Sequence, residues 1–241
     1  MKTTMKTMML AAVAALALTA CAATKPEPIL VQTPPPSAPR FDKDIAAFEA
    51  ADKEAMPPKC ATLFVGSSTI KKWTTLKEDF PGRTVINRGF GGSTAWEVDA
   101  YFSRIVTPYH PKEIVYYAGD NDLAANRTPD DVFADFATFM RMKDQQLGKT
   151  PVYFISVKPS ILRWSMQMQM TEVNARVREM AEQRDDLMMI NVVQAMLNSD
   201  GTPKDIFVED NLHMKPEGYA IWTPIVKAAL DRGQKEKAPG C

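Results

Sequence analysis

The sequence predicts an α/β protein in which helices cover both faces of a five-stranded parallel sheet. Five short runs rich in Val, Ile, Phe and Tyr recur along the chain, and segments with helical periodicity separate them. Since right-handed crossovers connect parallel strands, this alternation favours a doubly wound, three-layer α/β/α sandwich. The chain of 241 residues is long enough for one sizeable core and too short for two comfortable domains.

Each apolar run is predicted to be a strand buried on both faces, as parallel strands usually are. Asp42 and Thr128 are expected to cap two of the helices, because short polar side chains accept hydrogen bonds from free N–H groups at a helix start. The methionines between 166 and 170 are interpreted as packing and not as metal ligands. The predicted strands are 61–66, 84–87, 113–118, 152–157 and 187–191, and the predicted helices are 42–55, 68–79, 94–106, 129–147, 171–184 and 216–231.

The N-terminal residues have the pattern of a secretion signal. Lys2 and Lys6 precede an unbroken apolar run at 8–18, which is too short to span a bilayer and typical of a signal peptide. The run ends at 18–21 in a segment that resembles a bacterial lipobox, and this resemblance implies that Cys21 is lipidated and becomes the new N-terminus. The alternative is an ordinary signal peptide cleaved at a nearby alanine, with Cys21 incidental.

Residues 1–20 are therefore predicted to be a signal peptide, and residues 21–40 a lipid-anchored tether. Residues 24–40 include six prolines, a composition that favours extended polyproline II and cannot build a core. Ala22, and not an aspartate, follows the candidate lipidation site, and by resemblance to Gram-negative lipoproteins this favours the periplasmic face of the outer membrane. The folded domain is then expected to span 41–241.

The charge balance bears on whether the protein binds nucleic acid, and the cysteines bear on whether it contains a disulfide. Lys plus Arg equals Asp plus Glu, 29 against 29, and the chain has no basic run and no zinc-binding spacing, so it is not expected to bind nucleic acid. Besides Cys21, the chain contains Cys60 and Cys241. In an oxidising periplasm these two could form a disulfide or remain free thiols, and the sequence leaves both open.

Polar residues with the chemistry of a hydrolase follow the predicted strands. In a doubly wound sheet the ligand site lies beyond the carboxyl ends of the strands. Ser68 follows the first predicted strand, Asn121 the third, and His213 the fifth, with Asp210 three positions before the histidine. A serine, a base and a carboxylate are the groups that nucleophilic hydrolysis needs. The other histidine, His110, precedes the third strand and is expected to be structural, at the opposite end of the sheet.

Four segments resemble the sequence blocks that define the SGNH hydrolases, also called GDSL-type esterases and lipases. One block alone would be weak evidence, whereas four in order, over about residues 60–230, are specific. Ser67 stands where the family usually has Asp, but we expect an active enzyme because serine can also cap the following helix. In chain order the blocks are Gly66-Ser67-Ser68, Asn87-Arg88-Gly89-Phe90-Gly91-Gly92-Ser93-Thr94, Gly119-Asp120-Asn121-Asp122 and Asp210-Asn211-Leu212-His213.

The resemblance implies a flavodoxin-like sheet and a role for each block. Ser68 would be the nucleophile, His213 its general base, and Asp210 the carboxylate that orients the imidazole. The backbone N–H groups of Ser68 and Gly92 and the side-chain amide of Asn121 would bind the oxyanion of the tetrahedral intermediate. No cofactor is expected, and no catalytic metal either, because the chain has only two histidines.

Segments 64–73 and 87–92 look most like the branch of platelet-activating-factor acetylhydrolase catalytic subunits, whose members often cleave short acyl esters. After the fourth predicted strand, Ser160, Arg163 and Trp164 could line the substrate pocket, or their loop could simply pack on the domain. We therefore expect a serine esterase that acts on a small, acetyl-like acyl ester.

Two alternative functions fit the same residues. One is an O-acetyl esterase or acyltransferase whose substrate is an acylated sugar of the cell envelope, such as a carbohydrate or peptidoglycan. The other is a catalytically silent, envelope-binding lipoprotein, and the presence of all four blocks argues against it. The sequence does not decide the natural substrate, the acyl length or the oligomeric state.

Overall fold

The computed structural model describes residues 40–233 and residue 241. The predicted signal peptide, the candidate lipidation site Cys21 and the predicted tether up to residue 39 lie outside the described residues. In the part of the chain that is described, no helix combines the length and the apolar character that a membrane span needs.

A single five-stranded sheet forms the middle layer of the described part. All four strand pairs are parallel, and the strand order is β2-β1-β3-β4-β5. This result confirms the predicted doubly wound α/β sandwich with a flavodoxin-like sheet. The strands are β1 (Thr62–Gly66), β2 (Val85–Gly89), β3 (Glu113–Tyr117), β4 (Val152–Ile155) and β5 (Leu187–Ile190).

Helices cover the sheet on both faces, and each face has its own apolar core. Helices α1, α4, α5, α7 and α8 pack on one face, while α2, α3 and α9 pack on the other. The helices are α1 (Asp42–Glu54), α2 (Ser68–Lys71), α3 (Leu76–Asp79), α4 (Ala95–Ala100), α5 (Phe102–Ile105), α6 (Asp120–Ala124), α7 (Pro129–Leu147), α8 (Gln167–Glu182) and α9 (Pro216–Gly233).

Two of the predicted helices are split. The predicted helix 68–79 is α2 and α3, because Trp73 and Thr75 are weak helix formers and both donate to the Asp79 carboxylate across the turn, at 2.6 and 2.7 Å. The predicted helix 94–106 is α4 and α5. It breaks at Tyr101, which has φ −101° and ψ 6° and whose hydroxyl donates to Asp42 of α1 at 3.0 Å.

The edge strands and the start of α1 also differ from the prediction. Strands β1, β3 and β4 are buried along their full length. In β2 alternate residues are partly exposed, and in β5 the two central residues are partly exposed. Burial on both faces is therefore a wrong prediction for these two strands, since an edge strand has a neighbour on one side only. Phe41, and not Asp42, occupies the N-cap position of α1, and Asp42 lies in the first turn.

A disulfide closes the end of the sheet opposite Ser68. Cys60, just before β1, is bonded to Cys241, with 5.6 Å between their Cα atoms. The bridge that the sequence left open is therefore present. The N–H of Cys60 donates to the carbonyl of His110 at 3.0 Å, so this histidine lies at the amino ends of the strands, away from the candidate site.

Candidate active site

The turn between β1 and α2 is built around Gly66. Its φ is +136°, and a Cβ at this position would lie 1.8 Å from the carbonyl oxygen of Tyr117 in β3. The same oxygen accepts a hydrogen bond from the N–H of Ser67 at 2.9 Å. Two backbones approach so closely here that only glycine fits, and the chain then turns to place Ser68 at the start of α2.

Distant parts of the chain hold the short helix α2 in place. The hydroxyl of Tyr219 in α9 donates to the carbonyl of Thr69 at 2.9 Å, and the side-chain amide of Asn87 in β2 donates to the carbonyl of Ile70 at 2.7 Å. Ser67 occupies the N-cap position, but its buried hydroxyl has no hydrogen-bond partner in the described part. The expected capping by Ser67 is therefore wrong, and tertiary contacts fix the helix instead.

The loop before α9 brings His213 and Asp210 to Ser68. The Nε2 atom of His213 lies 2.9 Å from the Oγ atom of Ser68, and its Nδ1 atom lies 2.5 Å from Oδ2 of Asp210. The other carboxylate oxygen of Asp210 accepts the N–H groups of Leu212 and His213 at 2.9 and 2.8 Å. A continuous hydrogen-bonded chain thus runs from the carboxylate through the imidazole to the serine hydroxyl.

Asp210 is an ionised acceptor at neutral pH. Burial raises its pKa, but the hydrogen bonds from the His213 ring and from the N–H groups of His213 and Leu212 lower it more, so that the pKa lies well below the ordinary value of 3.8. An ionised carboxylate next to Nδ1 favours the tautomer that carries its proton there. Nε2 is then free to accept the proton of Ser68.

A buried lysine donates a hydrogen bond to the loop that carries His213. The ammonium of Lys158, which follows β4, donates to the carbonyl of Leu212 at 3.0 Å and lies 5.4 Å from the centre of the Phe207 ring. Burial lowers the pKa of Lys158 to about 8, so the group still carries its proton at neutral pH. The loop that carries His213 is thus tied to the carboxyl end of the sheet by a charge-assisted hydrogen bond.

The loop with Gly92 and the loop with Asn121 are bound to each other. The side-chain Nδ2 of Asn121 donates to the carbonyl of Ser93 at 2.9 Å. The carboxylate of Asp122 accepts the N–H of Ala95 at 3.0 and 3.1 Å, at the start of α4. Gly92 has φ +83°, and its carbonyl accepts a hydrogen bond from Arg40 at 2.9 Å. Hydrogen bonds therefore join the two loops that carry the candidate oxyanion residues.

The loop after β4 contacts Asn121. The Ser160 hydroxyl is buried and accepts the N–H of Arg163 at 3.3 Å, while Trp164 is half-buried and begins a short 3₁₀ turn. The guanidinium of Arg163 donates from Nη2 to Oδ1 of Asn121 at 2.8 Å, and its Nη1 lies 2.9 Å from a carboxylate oxygen of Asp120. Of the three predicted substrate residues, Arg163 is the one that donates a hydrogen bond to a candidate oxyanion residue, Asn121.

Some supporting residues have no signal in the sequence. Arg40 and Tyr219 contact Gly92 and the Ser68 helix across separations of 52 and 150 positions. Neither belongs to one of the four blocks, and only the tertiary structure reveals them. Among residues 40–233 and 241, no group of three or more His, Cys, Asp or Glu side chains is arranged to hold a metal ion.

Comparison with known proteins shows the family of the chain. The model of the GDSL-like lipase/acylhydrolase family matches residues 64–221, a span that contains Ser68, Gly92, Asn121, Asp210 and His213. The protein is thus a carboxylic ester hydrolase. The chain belongs to the GDSL-like lipase/acylhydrolase family, as its resemblance to the SGNH hydrolases implied. No curated protein matches the sequence significantly.

Solved structures share the fold at low sequence identity. A Streptococcus pneumonia protein that carries the name platelet activating factor is 16% identical, with a TM-score of 0.70 over 79% of this chain and 93% of its own. A GDSL-like lipase from Bacteroides thetaiotaomicron is 22% identical, with a TM-score of 0.68 over 78% and 98%. A carbohydrate esterase of family 3 from Talaromyces cellulolyticus is 14% identical, with a TM-score of 0.56 over 71% and 97%.

Proposed function

We propose that the protein is a serine esterase that hydrolyses short, acetyl-like acyl esters. The observation that carries this proposal is the hydrogen-bonded chain from Asp210 through His213 to Ser68, at 2.5 and 2.9 Å. The 2.9 Å between Nε2 of His213 and Oγ of Ser68 lies within the range in which an imidazole can take the proton of a hydroxyl. These three residues supply the nucleophile, the general base and the carboxylate that orients the base.

The proposed reaction follows from these positions. His213 accepts the proton of Ser68 at Nε2 as the serine oxygen bonds to the ester carbonyl carbon. The carbonyl oxygen becomes an oxyanion, which the N–H groups of Ser68 and Gly92 and the Asn121 amide stabilise. His213 then gives its proton to the leaving alcohol, and the acyl group remains on Ser68. His213 then deprotonates a water molecule, whose oxygen bonds to the acyl carbon. The bond from that carbon to Ser68 Oγ breaks, His213 returns the proton to Oγ, and the carboxylic acid leaves.

The acyl length is proposed from similarity. Segments 64–73 and 87–92 look like those of platelet-activating-factor acetylhydrolase subunits, and the Streptococcus pneumonia structure that carries the name platelet activating factor shares the fold. Hydrolysis rates should therefore be highest for acetate and fall as the acyl chain lengthens.

The test is hydrolysis of p-nitrophenyl esters from acetate to decanoate by the detergent-solubilised full chain. Ser68→Ala should lower kcat by at least about 10⁴-fold without unfolding the protein. Ser67→Ala is the matched control, since its hydroxyl makes no hydrogen bond in the described part and its loss should leave the rate unchanged. Turnover retained by Ser68→Ala would sink the proposal, as would equal loss in both variants.

A second candidate is an O-acetyl esterase or acyltransferase that acts on an acylated sugar of the envelope. The carbohydrate esterase from Talaromyces cellulolyticus, which has the same fold, favours this candidate. Acetate released from O-acetylated glycan at a higher kcat/KM than from aryl acetates would support it, and acetyl transfer to a sugar acceptor would identify a transferase. A silent binding protein, in contrast, would not be labelled by a fluorophosphonate at Ser68.

We also propose that the protein is lipid-anchored through Cys21 at the periplasmic face of the outer membrane. The lipobox-like segment at 18–21 supports this location, and so does the disulfide between Cys60 and Cys241, because such bonds persist in oxidising compartments. Cys21→Ser should move the protein from the outer-membrane fraction to another fraction. Unchanged fractionation of this variant would contradict the anchor.

A further inference from the structure

We propose that Arg163 is a positioning residue for acyl transfer: it fixes the orientation of the Asn121 amide and strengthens the hydrogen bond that this amide donates to the oxyanion. This inference rests on the proposed function, in which Asn121 is one of the oxyanion donors. It gives Arg163 an indirect role, through another side chain, where the sequence suggested direct contact with substrate.

The hydrogen bonds of Asn121 determine which way its amide points. Its Oδ1 accepts from Nη2 of Arg163 at 2.8 Å, and its Nδ2 donates to the carbonyl of Ser93 at 2.9 Å. A guanidinium can only donate and a carbonyl can only accept, so a flipped amide would lose both bonds. The Nδ2 group has two hydrogens, and the bond to Ser93 uses one of them. The second hydrogen is the one available to a substrate oxyanion.

Arg163 is itself held rigidly. Its Nη1 forms an ion pair with Asp120 at 2.9 Å, and its backbone N–H donates to the Ser160 hydroxyl at 3.3 Å. The side chains of Arg163 and Asp120 are only 11% and 5% exposed, so water screens the pair weakly. The guanidinium therefore pairs with Asp120 and donates a hydrogen bond to Asn121, although its buried Nη1 makes no hydrogen bond of good geometry in the described part.

The positive charge also affects the strength of the donor. A hydrogen bond from a charged guanidinium to Oδ1 draws electron density from the amide, which makes the remaining Nδ2–H a better donor. The stronger hydrogen bond forms only when negative charge develops on the carbonyl oxygen. It should therefore lower the activation free energy of acyl transfer without tightening substrate binding. Since one oxyanion donor is worth on the order of 100–1000-fold in rate, loss of Arg163 should cost roughly 10- to 100-fold in kcat with little change in KM.

The test is a double-mutant cycle with Arg163→Met and Asn121→Ala in the full chain, assayed on p-nitrophenyl acetate. If Arg163 acts through Asn121, the double variant should be no slower than Asn121→Ala alone, within about twofold. Arg163→Lys, which keeps one charged donor, should have an intermediate kcat. Arg176→Met is the matched control, because it removes an arginine that pairs with Asp130 and Glu172, and its kcat should stay at the wild-type value.

Two results would overturn the inference. One is a further loss in the double variant equal to the loss that Arg163→Met causes alone, because Arg163 would then act independently of Asn121. The other is a rise in KM with unchanged kcat, which would indicate direct substrate binding. If Arg163→Met does not fold, the Lys variant in both backgrounds supplies the cycle. Ser68→Ala in the same assay separates the two proposals, since turnover by that variant would contradict the proposed function and not only the role of Arg163.

Discussion

The Nε2 atom of His213 lies 2.9 Å from the Oγ atom of Ser68, although 145 positions separate the two residues in the chain. Ser68 follows β1 and His213 precedes α9, so the contact joins the two ends of the domain. Tyr219 of α9 reinforces it by donating to the carbonyl of Thr69. The site therefore exists only when the sheet is complete and the last helix is packed on it.

Asp210→Asn should reduce kcat strongly while the fold persists. The amide would present an N–H group to Nδ1 of His213, which favours the wrong tautomer and removes the negative charge that stabilises the imidazolium. We expect a loss of about 10³- to 10⁴-fold in kcat for p-nitrophenyl acetate, with an unchanged circular dichroism spectrum. Glu209→Gln, one position earlier, is the control and should keep wild-type activity. Comparable rates for the two variants would argue against a role for Asp210.

Gly66→Ala should prevent folding, because the added Cβ would lie 1.8 Å from the carbonyl oxygen of Tyr117. Backbone in the central strands cannot move away without breaking the sheet. Gly82→Ala is the matched control, since Gly82 also has a positive φ, +79°, but a Cβ added there would meet no described atom within 4 Å. It should cost about 1 kcal/mol of unfolding free energy. Urea denaturation of both variants is the measurement, and similar midpoints would refute the steric argument.

Replacing both disulfide cysteines by serine should lower stability but not the activity of the folded protein. The bridge joins Cys60 and Cys241, 181 positions apart, at the end of the sheet opposite Ser68. Its removal should cost about 2–5 kcal/mol of unfolding free energy, because the unfolded chain gains freedom. Urea titration with and without reductant checks this prediction, and the reduced wild type should match the double variant. Alkylation of either cysteine in the unreduced, denatured protein would show that the bridge is absent.

Asp122→Asn should remove a pH dependence of stability. Burial raises the pKa of Asp122 to about 7, from 3.8, although the N–H of Ala95 and the charge of Arg127 oppose this. The folded protein then holds the proton more tightly than the unfolded chain. Stability from this group is thus fully present below pH 3.8 and is lost as the pH rises to 7.

The measurement is the unfolding free energy of wild type and Asp122→Asn by urea titration at several pH values between 4 and 8. Relative to the variant, the wild type should lose on the order of 3 kcal/mol over this range. Parallel curves for the two proteins would mean that the carboxyl of Asp122 titrates normally. The comparison cancels the other groups that titrate in the same window, because both proteins contain them.

The strands were predictable because a parallel sheet covered on both faces needs continuous apolar runs, and such runs are visible in the sequence. The helix breaks at Trp73 and Tyr101 were not predictable, since they depend on Asp79 and Asp42, the side chains that Trp73 and Tyr101 contact in the fold. The exposure of β2 and β5 was missed for a related reason. Strand order decides which strands form the edges of the sheet, and this order cannot be predicted from any single segment of the sequence.

The α/β fold and the candidate residues Ser68, Asp210 and His213 could be predicted from the amino-acid sequence, because strand periodicity and the position of polar residues after strands are local properties of the chain. The contacts that hold these residues in place depend on the folded structure. Lys158 and Arg163 bear on the site through hydrogen bonds of 3.0 and 2.8 Å to Leu212 and Asn121, residues 54 and 42 positions away. Such contacts depend on how loops meet at the edge of a completed sheet, and hydrogen-bonding partners so far apart in sequence leave no periodic trace in it.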